Sequence, residues 1–133
     1  MGEIHLAIGL GIAAMIAGFS TSFITASLLI ERMKKAYHRE TLDQYLKSIT
    51  RYRLLIIDEI GYHPFDSEAG YCIFHVISRR YERSSTILTS NESYGEWGEI
   101  FQDQVIATAI LDRLWQHCVT VNIRGESYQL KER

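Results

Sequence analysis

The run Leu54-Leu55-Ile56-Ile57 has no polar position, and it ends in two adjacent acids, Asp58-Glu59. Four apolar residues in a row leave no face for water. Such a segment is buried on both sides, as strands of a parallel sheet are when helices cover both faces. Gly61 and Pro64 break the chain after it. The flanking sequence fits this pattern. A buried small-residue helix is expected over about His5–Ala17, with Gly18 as its C-terminal stop, followed by a strand over Ser20–Thr25. Leu28, Leu29, Ile30, Met33 and Tyr37 mark one amphipathic helix, and Leu42, Tyr45, Leu46 and Ile49 mark another over Glu40–Ile49. Asp66 can cap a helix reaching about Arg83, with Ala69, Ile73, Phe74, Ile77 and Tyr81 inward. Thr86–Thr89 reads as a strand ending in Ser90-Asn91, Asp103–Cys118 as a helix, and Val119–Ile123 as a last strand stopped by Gly125. Strands alternating with helices mean an α/β fold with a parallel sheet.

The composition agrees with this reading. The chain has 133 residues, 47% of them hydrophobic, with one proline. That describes one folded domain, or a piece of one, over residues 1–133 and excludes a disordered tail. Two cysteines, Cys72 and Cys118, form no disulfide framework and suit a reducing cytoplasm. The net charge of −2 excludes a polycation. The charge is uneven, however. Glu31 to Arg53 holds seven Lys or Arg against three acids, a local +4. Asp58 to Asp103 holds nine acids against three Arg, a local −6. A basic segment beside an acidic one suits a nucleic-acid edge next to a metal site, or two solvated helix faces. Leu6 to Ile30 carries no charged residue and is long enough to cross a bilayer, which takes about 20 residues. Ser20, Thr21, Ser22, Thr25 and Ser27 interrupt it, as do Gly9, Gly11 and Gly18. Helix, stop and strand describe it better than a span, and a membrane-anchored protein is a third-ranked reading.

In open α/β sheets ligands bind beyond the carboxyl ends of the strands. Asp58-Glu59 occupies one such end, in the form of a Walker B motif. The first acid can hold a nucleotide-bound Mg²⁺ and the second can orient the attacking water; a solvated strand tip is the plainer reading. Asn91 at the next strand's tip can hold that water, or simply cap a turn. Arg113, on the late helix, can reach a neighbouring subunit's phosphates as an arginine finger, or form a surface ion pair.

These signals occur together in one family's order. Leu54 to Tyr62 (LLIIDEIGY), Ser78 to Arg83 (SRRYER), Ile87 to Asn91 (ILTSN), Tyr94 to Phe101 (YGEWGEIF), Ala107 to Leu114 (ATAILDRL) and Val121 to Leu130 (VNIRGESYQL) closely resemble the IstB-like AAA+ ATP-binding proteins, helper ATPases of insertion-sequence transposition. The chain is similar, more distantly, to the helicase loader DnaC. The resemblance implies a parallel-sheet P-loop NTPase core, with ATP and Mg²⁺ as cofactors. It also implies double-stranded DNA, a transposase and further copies of the chain as partners, and a cytoplasmic protein not associated with the membrane. It makes Asp58 the metal acid, Glu59 the catalytic glutamate, Asn91 sensor 1 and Arg113 the arginine finger acting in trans.

The family's phosphate loop reads Gly-x-x-x-x-Gly-Lys-Thr before His-Leu-Ala. Here Gly2 matches the second glycine, while Glu3 stands at the Lys position and Ile4 at the Thr position. The loop's Lys contacts phosphate oxygens and its Thr holds Mg²⁺. The expectation is therefore an N-terminally truncated core, lacking the first central strand and most of the phosphate loop. Thr86–Thr89 and Val119–Ile123 would each lack a neighbour, and the chain alone would bind and hydrolyse ATP poorly. The rival from another class is a non-catalytic interaction module that keeps the sheet without a nucleotide site. Cys72 with His75, and His117 with Cys118, offer soft metal ligands at spacings that match no zinc motif. Trp97, Trp115 and the tyrosines suit core packing or base stacking, and Arg79, Arg80 and Arg83 suit DNA phosphates or solvent.

Overall fold

The apolar run from Leu54 forms the middle strand of a three-stranded parallel sheet in the computed structural model, which describes residues 2–61, 65–91 and 96–115. In chain order the elements are α1 (Gly2–Ile16), β1 (Thr21–Thr25), α2 (Ala26–His38), α3 (Leu42–Thr50), β2 (Leu54–Ile60), α4 (Ser67–Arg80), β3 (Ser85–Ser90), α5 (Trp97–Ile100) and α6 (Gln104–Trp115). The sheet order is β1-β2-β3. Thr21 pairs with Leu54 and Thr25 with Asp58 on one side; Leu54 pairs with Ser85 and Ile57 with Leu88 on the other.

Strand alternation divides the interior in two. Leu55, Ile57 and Ile60 point into the main core, where Leu29 and Met33 of α2, Leu46 and Ile49 of α3, Ile73 and Ile77 of α4 and Ile110 of α6 meet them. Each fully buried aliphatic side chain there contributes on the order of 2 kcal/mol from removal of apolar area from water. Leu54 and Ile56 point the other way, where among the described residues Ala7, with Ala14 and Ile87 at its rim, packs on them. Ala7, Gly11 and Ala14 form the stripe of α1 that meets the sheet, and a Cβ built on Gly11 would lie 3.0 Å from Ile56 Cδ1. Small residues on this stripe let α1 approach closely.

Local chemistry sets the ends of the elements. The side chain of Thr25 accepts from the Leu28 N–H at 3.3 Å, that of Asp66 from the Ala69 N–H at 2.8 Å, and that of Asp103 from the Val105 N–H at 2.9 Å. Gly18 stops α1 at φ +92°; its N–H reaches the Met15 carbonyl and the Phe19 N–H reaches the Ala14 carbonyl.

Several expectations change. The first helix is not a buried one. Apart from its small-residue stripe it is largely exposed, with Leu10 at 48% and Ile16 at 82%, because only one face has a sheet to cover. The helix after Asp66 stops at Arg80 rather than Arg83, since Tyr81 leaves helical geometry. Tyr81 is half-buried, while Val76 and Arg80 are buried inward-facing positions that the apolar pattern did not single out. β2 runs through both acids to Ile60. The short α5 was not expected; its Trp97 and the following Phe101 are core aromatics in edge contact, with ring centroids 5.8 Å apart. Among the described residues β3 is an edge strand and no helix is long and apolar enough to cross a membrane. Val119–Ile123, Gly125, His117 and Cys118 lie outside the described residues.

Candidate functional site

At the carboxyl end of β2 the ladder changes register. Ile57 pairs with Leu88 but Ile60 pairs with Ser90, so Asp58 and Glu59 together face the single residue Thr89. This is a β-bulge, and Glu59, the extra residue, adopts a left-handed backbone with φ +66°. A non-glycine residue there costs on the order of 1 kcal/mol. The shift of one residue has a visible consequence. Strict alternation would put Ile60 on the side of Leu54, Ile56 and Asp58, whereas Ile60 lies fully buried in the main core with Leu55 and Ile57.

Asp58 is buried at 3% exposure, and Glu59 is half-buried. The Thr89 hydroxyl donates to Asp58 Oδ1 and accepts from the Glu59 N–H at 3.0 Å. Beyond the bulge, Ser90 Oγ donates to the Ile60 carbonyl at 2.7 Å and closes the strand end. Asp58 has no other side-chain partner and no cationic neighbour among the described residues. One carboxylate oxygen is held by the hydroxyl and the other has no hydrogen-bond partner among the described residues, which leaves it open to a hard cation that takes oxygen ligands.

Asn91 directly follows Ser90 and is exposed, with no side-chain hydrogen bond among the described residues. The structure therefore brings Asp58, Glu59 and Asn91 to one edge of the sheet. Gly2 opens α1, which reverses at Gly18 into β1, so the N-terminus of α1 points back toward that same edge. Arg113 is elsewhere. Its guanidinium lies over the Tyr81 ring at 5.1 Å from the centroid, at the end of α4 that leads into the start of β3. It is thus at the opposite end of the sheet from Asp58 and Glu59.

The arginine group separates as well. Arg80, at 1% exposure, is bound to backbone carbonyls inside the fold and is no phosphate contact, because the helix face it occupies turns inward. Arg79 pairs with Asp43 at 3.1 Å. Cys72 is half-buried and burial pushes its thiol up, while His75 is exposed; among the described residues no group of three or more metal-ligating side chains forms. Sequence reasoning missed Thr89. The available signal was its position one residue short of the strand tip, opposite the two acids.

All-parallel strands, helices on both faces and an acidic pair near the carboxyl end of the middle strand make an α/β core whose fold is that of AAA+ P-loop proteins. The fold matches that of the replication initiator DnaA bound to AMPPCP and single-stranded DNA, with TM-score 0.71 and 15% identity over 84% of this chain and 34% of that one. It also matches the DnaC helicase loader, with TM-score 0.65 and 21% identity over 84% of this chain and 68% of that one. Within that class the chain belongs to the IstB-like ATP binding protein family, whose model matches residues 1–133. It is 47% identical to the ATP-binding protein of insertion sequence IS21 from Pseudomonas aeruginosa, over 100% of this chain and 50% of that protein. It is 46% identical to that of IS5376 from Geobacillus stearothermophilus, over 100% of this chain and 53% of that protein. The chain spans about half the length of the curated relatives it matches.

Proposed function

We propose that this chain carries the acidic half of an ATP site in a cytoplasmic transposition helper of an insertion sequence. The observation that supports this reading is the buried Asp58, one oxygen held by Thr89 and the other open, beside Glu59, with Asn91 just past the next strand on the same edge. Asp58 would hold the Mg²⁺ of Mg-ATP, and that ion when bound would neutralise charge on the phosphates. Glu59 would orient a water for in-line attack, and Asn91 would hold the same water near the terminal phosphate. Arg113, at the far edge of its own sheet, would complete the site of an adjacent copy, so a homo-oligomer is the active form. The exposed Arg32 and Lys35 on α2 and Arg39 just past its end have no carboxylate partner among the described residues, and they offer a face to DNA phosphates. Double-stranded DNA and a transposase are the partners that the family membership supports.

Glu3 and Ile4 stand where a phosphate loop has Lys and Thr, so nucleotide affinity of the chain itself should be weak. The same two residues favour the second reading, a non-catalytic module that retains the sheet alone. Isothermal titration with Mg-ATP separates the two. The chain should bind more weakly than about micromolar. The double variant Glu3→Lys, Ile4→Thr should bind roughly tenfold tighter, and Asp58→Asn in that background should remove the gain. Micromolar binding by the unaltered chain would overturn the impairment; no gain in the double variant would favour the module.

A further inference from the structure

We propose that Thr89 is the positioning residue of the acidic pair, its one hydroxyl fixing the bulge that sets Asp58 and Glu59 at the end of β2. The argument starts from donor and acceptor capacity. A backbone N–H can only donate, so the Thr89 hydroxyl must accept from Glu59, at 3.0 Å. Its single hydrogen is then free for one acceptor, and it goes to Asp58 Oδ1. The two bonds use different parts of the hydroxyl and coexist. They also reinforce each other, since donating to a carboxylate makes the oxygen a better acceptor.

The bulge makes this link necessary. Asp58 and Glu59 oppose one residue, so the extra amide has no ladder carbonyl of its own. An unpaired N–H in a partly buried strand is costly, and Glu59 already bears a left-handed backbone. Thr89 supplies the missing partner from its side chain, while Ile60 anchors the bulge from the other face by full burial in the main core. One carboxylate oxygen of Asp58 is held by the hydroxyl; the other has no partner among the described residues and remains for a cation. Thr89 is itself buried at 7% exposure, which removes competing water from both bonds.

The inference deepens the nucleotide-site reading and rests on it only for what the acids bind. Two readouts on the whole chain test it without nucleotide. One is hydrogen exchange of the Glu59 amide; the other is paramagnetic broadening of the Asp58 and Glu59 amide signals by Mn²⁺ alone. Thr89→Val keeps shape and burial but removes both bonds. It should speed Glu59 exchange roughly tenfold or more relative to Leu55 and Ile56, and it should cut the Mn²⁺ broadening roughly threefold. Thr89→Ser should keep both within about twofold of the unaltered chain. If Thr89→Val does not fold, Thr89→Ala carries the same expectation. Unchanged exchange and broadening in the folded Val or Ala variant overturn the proposal, as does a Ser variant that behaves like Val. Failure of the Mg-ATP titration with the Thr89 pattern intact would sink the nucleotide reading and support the positioning role.

Discussion

Arg80 and Asp58 are the two charged side chains buried most deeply among the described residues, at 1% and 3% exposure, and they sit at opposite ends of the sheet. Their surroundings differ. Arg80 donates to the Ile49 carbonyl at 3.0 Å, the Tyr52 carbonyl at 2.8 Å, the Ser85 carbonyl at 2.6 Å and Thr86 Oγ1 at 2.9 Å. One guanidinium thereby ties the end of α3, the loop into β2 and the start of β3 to the last turn of α4. Burial pushes it down to about 10, which leaves it charged at neutral pH. Among the described residues the Asp58 side chain has one hydrogen bond, from Thr89. A buried charge with most of its hydrogen-bonding capacity met holds a fold together; a carboxylate oxygen without a protein partner is open to water or an ion. Arg80 ties the amino ends of the strands together, while at the carboxyl ends Asp58 keeps one oxygen open.

That contrast is open to direct attack. The largest effect is expected at Arg80. Arg80→Met keeps the apolar stem but orphans three carbonyls and a hydroxyl, and it should destabilise the chain by about 3 kcal/mol or more in urea unfolding. A loss below about 1 kcal/mol would mean that water replaces the guanidinium, and the amino end would lose its distinction.

An intermediate effect belongs to α4, whose two ends lie at the two edges. Asp66 caps its start and accepts from Lys34 at 2.9 Å. The Lys34 ammonium, together with the Ala69 N–H, holds the Asp66 carboxyl below its usual value of 3.8. A depressed acid stabilises the fold above its unfolded pKa, and that contribution fades as pH falls through the folded one. Asp66→Ala should therefore cost about 1 kcal/mol at neutral pH, chiefly from the lost cap, and less below pH 3.8. Asp66→Asn should keep most of the cap and flatten the acid limb. Equal losses for Ala and Asn at neutral pH would assign the effect to the ion pair with Lys34.

The smallest effect on stability is expected at the candidate site itself. Asp58→Asn keeps an oxygen for Thr89 and replaces the open carboxylate oxygen by an amide that cannot hold a cation. Its stability should be unchanged or raised by up to about 1 kcal/mol, while Mn²⁺ broadening of neighbouring amides disappears. A large loss of stability in Asp58→Asn would make the two ends alike and remove the argument for a cation.

Much of the fold could be read in advance because its signals are local. The apolar run at Leu54 announces a strand buried on both faces, and Asp66, Asp103 and Gly18 mark helix ends through bonds that span only a few residues. The short α5 gave no such signal, because four residues carry too little periodicity. Arg80 was misread for a related reason. An arginine beside another basic residue looks like solvent-facing charge, and only the carbonyls that α3 and β3 bring to it show otherwise. At the candidate site the sequence placed Asp58, Glu59 and Asn91 at strand tips, and pairing in register then put them on one edge. It could not place Thr89, whose partners lie thirty residues away or more in the chain. Nor could it set Arg113 at the far edge over Tyr81.

The sequence by itself determined the alternation of strand and helix, the family, and the pair of acids at the end of the middle strand. These follow from apolar patterning, capping and short motifs. Tertiary structure decided that the strand runs on through the acids with one residue too many, that Glu59 turns left-handed, and that a threonine from the next strand holds both. Those outcomes depend on how two strands align, and the alignment is set by burial of Ile60 on one face and hydrogen bonding to Thr89 on the other.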